Sequence, residues 1–311
     1  MTAVFDPLAH DRLAHDPRAH DPRAHDTRVH DAKGRSPGML AQAPKTPGFG
    51  ELRGGNLGVR IATSPAEIRA VQALRYRVFY GELGAHPDPV TFANKLDADQ
   101  YDAVADHLLV IDHSIGEGPS SIVGTYRLIR RAAADRIGRF YSADEFDISM
   151  METYPGGVLE LGRSCVAPEY RSRAVMQLLW SGIAAYVSHH QIDVMFGCAS
   201  LPGTDPDALG AELSYLYYHH LAPAEIRPRA LPERYVDMRR VDPAALGDPR
   251  RALTALPPLV KGYLRLGGFV GDGAVIDTQF NTIDVAVIVK TELVTGRYNR
   301  HFERDRQDVL D

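Results

Sequence analysis

The stretch VLELGRSCVAPEYRSRAV, residues 158–175, decides the fold of this 311-residue chain. In its first half Leu159 and Leu161 alternate with Glu160 and Gly162, which places the apolar side chains on one face of a strand. In its second half the sequence pattern changes to one that is typical of the start of a helix. A buried strand that leads directly into a helix is typical of α/β sheets. However, this strand also carries Glu160 and Arg163, and charged residues are not expected in a buried strand.

Glu160 and Arg163 are three residues apart, so a regular strand would point them to opposite faces of the sheet. A β-bulge at or next to Gly162 would bring both side chains onto one face, and glycine suits such a position. A bulge also frees a backbone N–H group. We therefore predict a central strand that is bulged near Gly162. The alternative is a plain Glu–Arg pair that closes the end of a sheet.

Strand and helix patterns mix on both sides of this stretch. Strand patterns occur at 57–63, 107–113, 121–130, 193–200, 273–280 and 282–290. Helical patterns occur at 66–84, 173–189, 205–221 and 257–267. Asp205 and Pro206 predict the cap and first residue of the helix at 205–221. One α/β domain over residues 51–295, with a sheet flanked by helices, accounts for the whole pattern.

The composition excludes several classes of protein. The formal net charge of −5 argues against nucleic acid as the main partner. Only two cysteines occur, Cys165 and Cys198, which favours a reducing compartment over a disulfide framework. Cys165 lies beside the decisive stretch, and without a nearby histidine it is predicted to be a core residue. No apolar run reaches about 18 residues, so we expect a cytoplasmic protein, with peripheral contact at the inner face of the membrane left open.

Both ends of the chain differ from the predicted domain. Residues 6–30 repeat a histidine-containing pentapeptide five times, and a period of five builds no apolar helix or strand face. We predict a disordered tail over 1–50 rather than a metal site, and no metal or permanent cofactor is expected. Residues 296–311 form a second, highly charged tail.

Residues 159–172, LELGRSCVAPEYRS, resemble the central strand and following loop of the GNAT-type acyltransferases. More closely, they resemble two branches that use acyl-carrier protein, the ornithine-lipid N-acyltransferases and the N-acyl-homoserine-lactone synthases. LRYRVFYGELGA (74–85), the acidic segment 95–110 and GTYRL (124–128) are similar to both branches. Residues 196–223 and 257–289 resemble the ornithine-lipid enzymes alone.

The resemblance implies a GNAT-like mixed central sheet and an N-acyltransferase. The implied reaction moves a (3-hydroxy) fatty acyl group from acyl-carrier protein to the α-amine of L-ornithine. The product is lyso-ornithine lipid, in the first step of ornithine lipid biosynthesis. The alternatives are an N-acyl-homoserine-lactone synthase and a non-catalytic lipid- or carrier-binding protein. The lactone synthases usually have a tryptophan soon after the segment that 74–85 resembles, whereas Trp180 is the only one here.

The resemblance also suggests roles for individual residues. Glu160 is expected to accept the amine proton, and backbone N–H groups at the bulge beside Gly162 to stabilise the oxyanion. Arg163 is expected to keep Glu160 ionised and oriented. Arg127 and Arg77 are expected to bind the substrate, with Arg127 at its carboxylate. One acidic group must bind the distal ammonium of ornithine, and the candidates are Asp97, Asp102, Asp272, Asp277 and Asp284.

The predicted carrier site is basic. The segment 171–176 lacks the glycines with which GNAT enzymes hold the pyrophosphate of coenzyme A, and this favours a carrier arm with a single phosphate. Arg171 and Arg173 are expected to bind that phosphate. Arg130 and Arg131, in a basic run over 127–139, are expected to lie near them and to complete a docking face for the acidic carrier protein.

Overall fold

A computed structural model describes residues 50–294 of the chain. These residues span the predicted domain except its last position. The predicted repeat tail, apart from Gly50, and the predicted C-terminal tail lie outside the described residues.

The described part of the chain forms one mixed ten-stranded sheet with helices on both faces. The strands are β1 (Leu52–Gly54), β2 (Leu57–Ile61), β3 (Asp106–Asp112), β4 (Ile122–Arg130), β5 (Phe146–Asp147), β6 (Gly157–Val166), β7 (Ile192–Pro202), β8 (Arg229–Ala230), β9 (Phe269–Asp277) and β10 (Thr282–Lys290). Their order is β1-β2-β3-β4-β6-β7-β10-β9-β8-β5. Strands β6–β7 and β8–β9 are parallel, and the other neighbours are antiparallel. The predicted mixed α/β sheet is confirmed.

The helices are α1 (Pro65–Tyr76), α2 (Pro89–Asn94), α3 (Arg131–Ile137), α4 (Ser149–Glu152), α5 (Arg173–His189), α6 (Gly210–His220), α7 (Pro249–Ala255) and α8 (Pro258–Arg265). Ser64 caps α1 through a capping box with Glu67, because its side chain accepts from the Glu67 amide. The bounds of α5 agree with the predicted helix at 173–189.

The two faces of the sheet bury different cores. In β3, Leu108 and Val110 pack in one cluster while Leu109 and Ile111 pack in another, as the alternation of a strand requires. Helix α5 covers the first face, and α1 covers the second. In β6, Leu159 and Leu161 face the α5 side. The side chains between them therefore point to the α1 side, where the charged groups gather.

Strand β6 is bulged where the sequence predicts it. Thr125 of β4 pairs with Cys165, but Arg127, two residues later, pairs with Gly162, so β6 contains one extra residue. The left-handed backbone conformation falls on Arg163, with φ of 51°, and not on the glycine. Glu160 and Arg163 consequently lie on one face of the sheet, and the prediction of a bulge near Gly162 is confirmed.

Two predicted helices differ from the structure. Helix α1 is followed directly by a π-helical segment, Arg77–Glu82, in which the wider turn shifts the register of the side chains. Helix α6 begins at Gly210, so the predicted start at Asp205 is wrong. The Asp205 carboxylate instead accepts a hydrogen bond from the Asp207 amide and forms a separate turn.

Candidate active site

The carboxylate of Glu160 is buried and fully oriented by protein groups. Its Oε2 accepts from the Tyr141 amide at 2.8 Å, and its Oε1 accepts from the Ser142 amide at 2.6 Å and from the Ser142 hydroxyl. Only 1% of the residue is exposed. Burial raises the pKa of Glu160 even though these hydrogen bonds oppose the shift. The group is therefore a stronger base than a carboxylate on the surface.

Three arginines and three aspartates form a buried ion network beside Glu160. The arginines come from α1, β4 and the bulge of β6, and the aspartates come from the loop and short 3₁₀-helix before β3. The members are Arg75, Arg127, Arg163, Asp97, Asp99 and Asp102. Because three positive charges meet three negative ones, the network balances its own charge, which is the condition for burying it.

Arg75 and Arg163 share the carboxylate of Asp97. The Arg75 Nε lies 2.8 Å from Asp97 Oδ2, and the Arg163 Nε lies 3.1 Å from the same atom. Arg75 also donates to both oxygens of Asp102, at 3.1 and 2.6 Å. Burial opposes the ionisation of Asp97 and Asp102, but the arginines outweigh it and lower the pKa of both carboxyl groups. Both aspartates are therefore ionised at neutral pH.

Tyr141 joins the network to the predicted base. Its amide donates to Glu160, and its hydroxyl accepts from Arg163 Nη1 at 3.0 Å. Its ring lies beneath the guanidinium carbons of Arg127 and Arg163, at 5.2 and 4.9 Å from the ring centre. The ion network thus fixes the 3₁₀-helix Tyr141–Asp144, whose backbone orients the carboxylate.

The contacts of Arg163 contradict its expected role as the partner of Glu160. Its guanidinium binds Asp97, Tyr141 and, at 3.6 Å, Asp99. The carboxylate of Glu160 is held by N–H and O–H donors instead, and the arginine that opposes the rise in its pKa is Arg127. The positive φ of Arg163 turns its side chain toward the aspartates, which explains the difference.

The two arginines predicted to bind substrate occupy different environments. Arg127 is 1% exposed and its Nη1 donates to Asp99 at 2.6 Å and to Asp102 at 3.1 Å, so its predicted hold on a substrate carboxylate stays a prediction. Arg77 is exposed, at the start of the π-helical segment, whereas Arg75 is the buried arginine of that stretch. Sequence reasoning missed Arg75 because the helical spacing did not show which of Arg75 and Arg77 is buried.

Open space adjoins the bulge at Gly162. The residue is buried, yet a side-chain carbon placed on it would meet no atom within 4 Å. Gly197 of β7 contrasts with it, because such a carbon there would lie 2.1 Å from the Leu161 carbonyl oxygen. The parallel pairing of β6 with β7 runs from Gly157 to Glu160, and the space begins just beyond it. A reacting group would find room there beside Glu160.

The expected carrier-binding arginines do not form one surface. Arg130 pairs with Leu159 at one end of β4 and β6, whereas Arg171 follows the other end, where Gly124 pairs with Val166. Six residues of strand separate the two ends by ~20 Å. The prediction that the two pairs of arginines lie close together is therefore wrong.

Each of these arginines has its own surroundings. Arg130 lies 3.2 Å from Asp106, and Arg131 donates to the Met151 and Tyr154 carbonyls. Arg171 donates to Glu82, at 2.7 Å through Nη2, and to the Val166 carbonyl. Arg173 is exposed as the first residue of α5.

The five aspartates proposed for the distal ammonium have separate partners. Asp97 and Asp102 belong to the ion network. Asp272 lies 3.1 Å from Arg229 and accepts from the Tyr235 hydroxyl, and Asp277 accepts from the amides of Gln279 and Phe280. Asp284, on β10, accepts from the Thr282 hydroxyl and lies in a buried cluster with Glu145 and Cys198.

Cys165 is a core residue, as predicted. It is 1% exposed and packs in the cluster under α1, and burial raises the pKa of its thiol. The thiol is therefore protonated at neutral pH and is a poor nucleophile.

Besides Arg75, four residues of this region were not foreseen: Asp99, Tyr141, Ser142 and Glu145. The spacing of acidic residues in 95–110 was a signal for Asp99. The other three lie at 141–145, which shows no clear helix or strand period. Backbone amides of such a segment orient Glu160, and a sequence does not reveal those contacts.

Comparison with known proteins agrees with this geometry. A family model described as "Acetyltransferase (GNAT) domain" matches residues 74–181, which run from α1 through the bulged strand into α5. The mixed sheet, the bulge and this match define the protein as an N-acyltransferase of GNAT fold.

Curated relatives narrow the class. The chain is 48% identical over 253 residues to the L-ornithine N(alpha)-acyltransferase of Rhizobium meliloti (strain 1021), covering 80% of this chain and 85% of the relative. It is 47% identical over 264 residues to that of Agrobacterium fabrum (strain C58), covering 84% and 89%. The chain belongs to this family of L-ornithine Nα-acyltransferases.

A similar solved structure is that of FeeM, an N-acyl amino acid synthase from uncultured soil microbes. The TM-score is 0.42 at 15% identity, and the match covers 78% of this chain and 94% of that one. Within residues 50–294, no helix combines the length and apolar character needed to span a bilayer. The apolar residues Leu213 and Leu216 of α6 are buried in the main core.

Proposed function

We propose that the protein transfers a (3-hydroxy) fatty acyl group from acyl-carrier protein to the α-amine of L-ornithine and releases lyso-ornithine lipid. The observation that carries the proposal is the buried, raised-pKa carboxylate of Glu160 beside the open space at Gly162. The curated relatives are named L-ornithine N(alpha)-acyltransferases, which supports L-ornithine as the acceptor.

The reaction needs a base because the acceptor binds as an ammonium. An α-ammonium with a reference pKa near ~8 must lose a proton before its nitrogen can attack a thioester carbonyl carbon. In the proposed step the carbon–nitrogen bond forms while the proton passes to the carboxylate of Glu160. The carbon–sulfur bond then breaks, and Glu160 gives that proton to the thiolate, which leaves as a free thiol. The emptied carboxylate takes the second proton from the newly bonded nitrogen and passes it to solvent, so that a neutral amide remains. Backbone N–H groups at the bulge are proposed to stabilise the oxyanion, at roughly 3–4 kcal/mol per donor.

The ion network is proposed to hold this base in place. Arg127 and Arg163 both lie over the ring of Tyr141, and the Tyr141 and Ser142 amides fix the two oxygens of Glu160. Because its charges are paired with one another, the network orients the base without adding net charge to the site. Arg75 and Arg163 are therefore proposed as positioning residues, and Arg127 is also proposed to bind the carboxylate of the substrate.

The donor is proposed to be acyl-carrier protein. The residues at the start of α5, Arg171–Met176, include no glycine that would let a pyrophosphate approach the backbone closely. Arg173 is exposed at this helix start, where the helix dipole favours a phosphate. Arg171 is held by Glu82, so Arg173 is the stronger candidate for contact with the phosphopantetheine phosphate.

The test is a thiol-release assay with mass spectrometry of the product. Purified protein would receive the same 3-hydroxyacyl group on acyl-carrier protein or on coenzyme A, with L-ornithine or S-adenosylmethionine as acceptor. The proposal expects N-acyl-ornithine, formed faster from the carrier protein. Product only with S-adenosylmethionine, or none with any pair, would overturn it. Faster turnover with coenzyme A would overturn the donor assignment alone.

Arg173→Ala examines the contact with the carrier. The variant is expected to raise KM for acyl-carrier protein while KM for ornithine stays unchanged. Arg250→Ala, which removes another exposed arginine at a helix start, serves as the control. Equal KM values for Arg173→Ala and the control would remove Arg173 from the docking surface.

A further inference from the structure

Among residues 50–294, two buried carboxylates on the Glu160 side of the sheet lack a full set of hydrogen-bond partners. Glu145, 6% exposed, follows the 3₁₀-helix that orients Glu160, and Asp284, 2% exposed, lies on β10. Oxygen atoms of the two carboxylates and the sulfur of Cys198 all lie within 4.8 Å of one another. Arg234 Nη2 lies 3.8 Å from Glu145 Oε1.

The cluster contains polar atoms that nothing in the described residues satisfies. Glu145 Oε2 is buried without a hydrogen-bond partner in the described residues. The Oγ of Ser200, a residue that is 2% exposed, makes no well-formed hydrogen bond, although this hydroxyl opposes the rise in the pKa of Asp284. Ser200 is the direct cross-strand neighbour of Asp284, so their side chains project from the same face of the sheet. A buried oxygen without a donor destabilises the protein, and a cation with several N–H groups would satisfy these atoms together.

The charge balance of the cluster also favours a cation. Burial together with Asp284 raises the pKa of Glu145 to about 7, and burial together with Asp277 raises the pKa of Asp284. The contrast with the ion network is direct, since there each carboxylate meets arginines and its pKa is lowered. Within the described residues, Arg234 lies 3.8 Å from one carboxylate of the Glu145–Asp284 pair, and a bound cation would add a second positive charge to the two carboxylates.

The position of the cluster relative to the base fits a diamino acid. The Ser142 hydroxyl donates to Glu160, and the Cys198 sulfur lies 3.4 Å from that hydroxyl and borders the carboxylate pair. One serine and one cysteine side chain thus separate the two acidic groups. The nitrogens of ornithine are separated by five bonds of about 1.5 Å, and a hydrogen bond of about 3 Å at each end extends that reach.

We infer that Glu145 and Asp284, with the Ser200 hydroxyl, form the specificity site for the distal primary ammonium of the acceptor amino acid. This inference rests on the proposed function and names the residues that select its acceptor. Among the five aspartates considered from the sequence, Asp284 is the one whose carboxylate meets neither an arginine nor a run of backbone amides in the described structure. Glu145 is its partner.

The experiment compares two acceptors of equal chain length, L-ornithine and L-norvaline, which lacks the distal ammonium. The wild type is expected to prefer ornithine by at least 100-fold in kcat/KM. Asp284→Asn and Glu145→Gln are each expected to lower this preference at least tenfold, through KM for ornithine, while kcat/KM for norvaline stays within about threefold. Asp272→Asn, on the neighbouring strand β9, is the matched control and should keep the wild-type preference.

The outcomes separate this inference from the proposed function. If the wild type acylates ornithine but both variants keep its preference for ornithine, the specificity site is wrong and the proposed function stands. If the wild type acylates neither amino acid, the proposed function itself fails. Metal analysis of the wild type and of Asp284→Asn tests whether the cluster binds a metal ion instead of an ammonium. One equivalent of divalent metal that is lost in the variant would overturn the ammonium site.

Discussion

Removing the charge of Arg75 tests whether the ion network supports the fold and the base together. The side chain is 0% exposed and has two carboxylate partners, with Nε 2.8 Å from Asp97 and Nη2 2.6 Å from Asp102. Arg75→Met keeps an apolar chain of similar length but leaves excess negative charge buried. Loss of one partner from a buried pair costs about 3–5 kcal/mol, because the remaining charge is uncompensated. For a domain of this size that cost corresponds to a fall in Tm of roughly 6–20 °C.

The assay is urea unfolding at neutral pH, followed by circular dichroism. Arg53→Met is the control, since that side chain is 54% exposed and its pair with Glu51, at 3.2 Å, is worth at most about 1 kcal/mol. The double variant Arg75→Met, Asp102→Asn removes one charge of each sign. It should be more stable than the sum of the single effects by about 0.5–3 kcal/mol. An Arg75→Met protein within about 1 kcal/mol of the wild type would refute the reasoning.

Three further outcomes follow from the bulge and the acidic cluster. Because Arg163 has φ of 51°, Arg163→Gly should be more stable than Arg163→Ala by about 1 kcal/mol in the same unfolding assay; the reverse order would argue against the bulge. Gly197→Ala should cost at least about 1–3 kcal/mol through its clash with the Leu161 carbonyl, whereas Gly162→Ala should stay within about 1 kcal/mol of the wild type; similar losses would contradict the open space. A folded-state pKa of about 7, above the ordinary 4.5, means that ionised Glu145 destabilises the fold as pH rises between these values. Melting curves should therefore show Glu145→Gln gaining up to about 3 kcal/mol over the wild type from pH 4.5 to 8, and a constant difference would disprove the shift.

The sheet and the bulge could be predicted because both depend on local patterns. Alternating apolar residues give the two faces of β3 and β6. Because Glu160 and Arg163 are three residues apart, β6 needs an extra residue if both are to share a face. The helix at 173–189 was predicted to the residue from its spacing, and the structure shows that Ser172 caps it. The start of α6 was misplaced because an aspartate–proline pair also favours a separate turn, and tertiary contacts decide between them.

The charged site was less predictable, since its partners come from distant parts of the chain. Arg163 was expected to meet Glu160, but the left-handed residue at the bulge points it at Asp97, which is 66 residues away in sequence. The distance between Arg130 and Arg171 was underestimated for a similar reason, because only the strand register shows that they occupy opposite ends of β4 and β6. Neither fact depends on local spacing.

The central claim is that Glu160 accepts the amine proton, and the pH dependence of kcat/KM for ornithine tests it most directly. The wild type would be compared with Glu160→Gln, and with Glu152→Gln as an exposed control, after melting curves show that all three are folded. The account predicts a 10²–10⁴-fold loss in Glu160→Gln, together with loss of the acidic limb of the wild-type profile, and no change in the control. A Glu160→Gln enzyme that keeps activity within tenfold and the wild-type pH profile would contradict it.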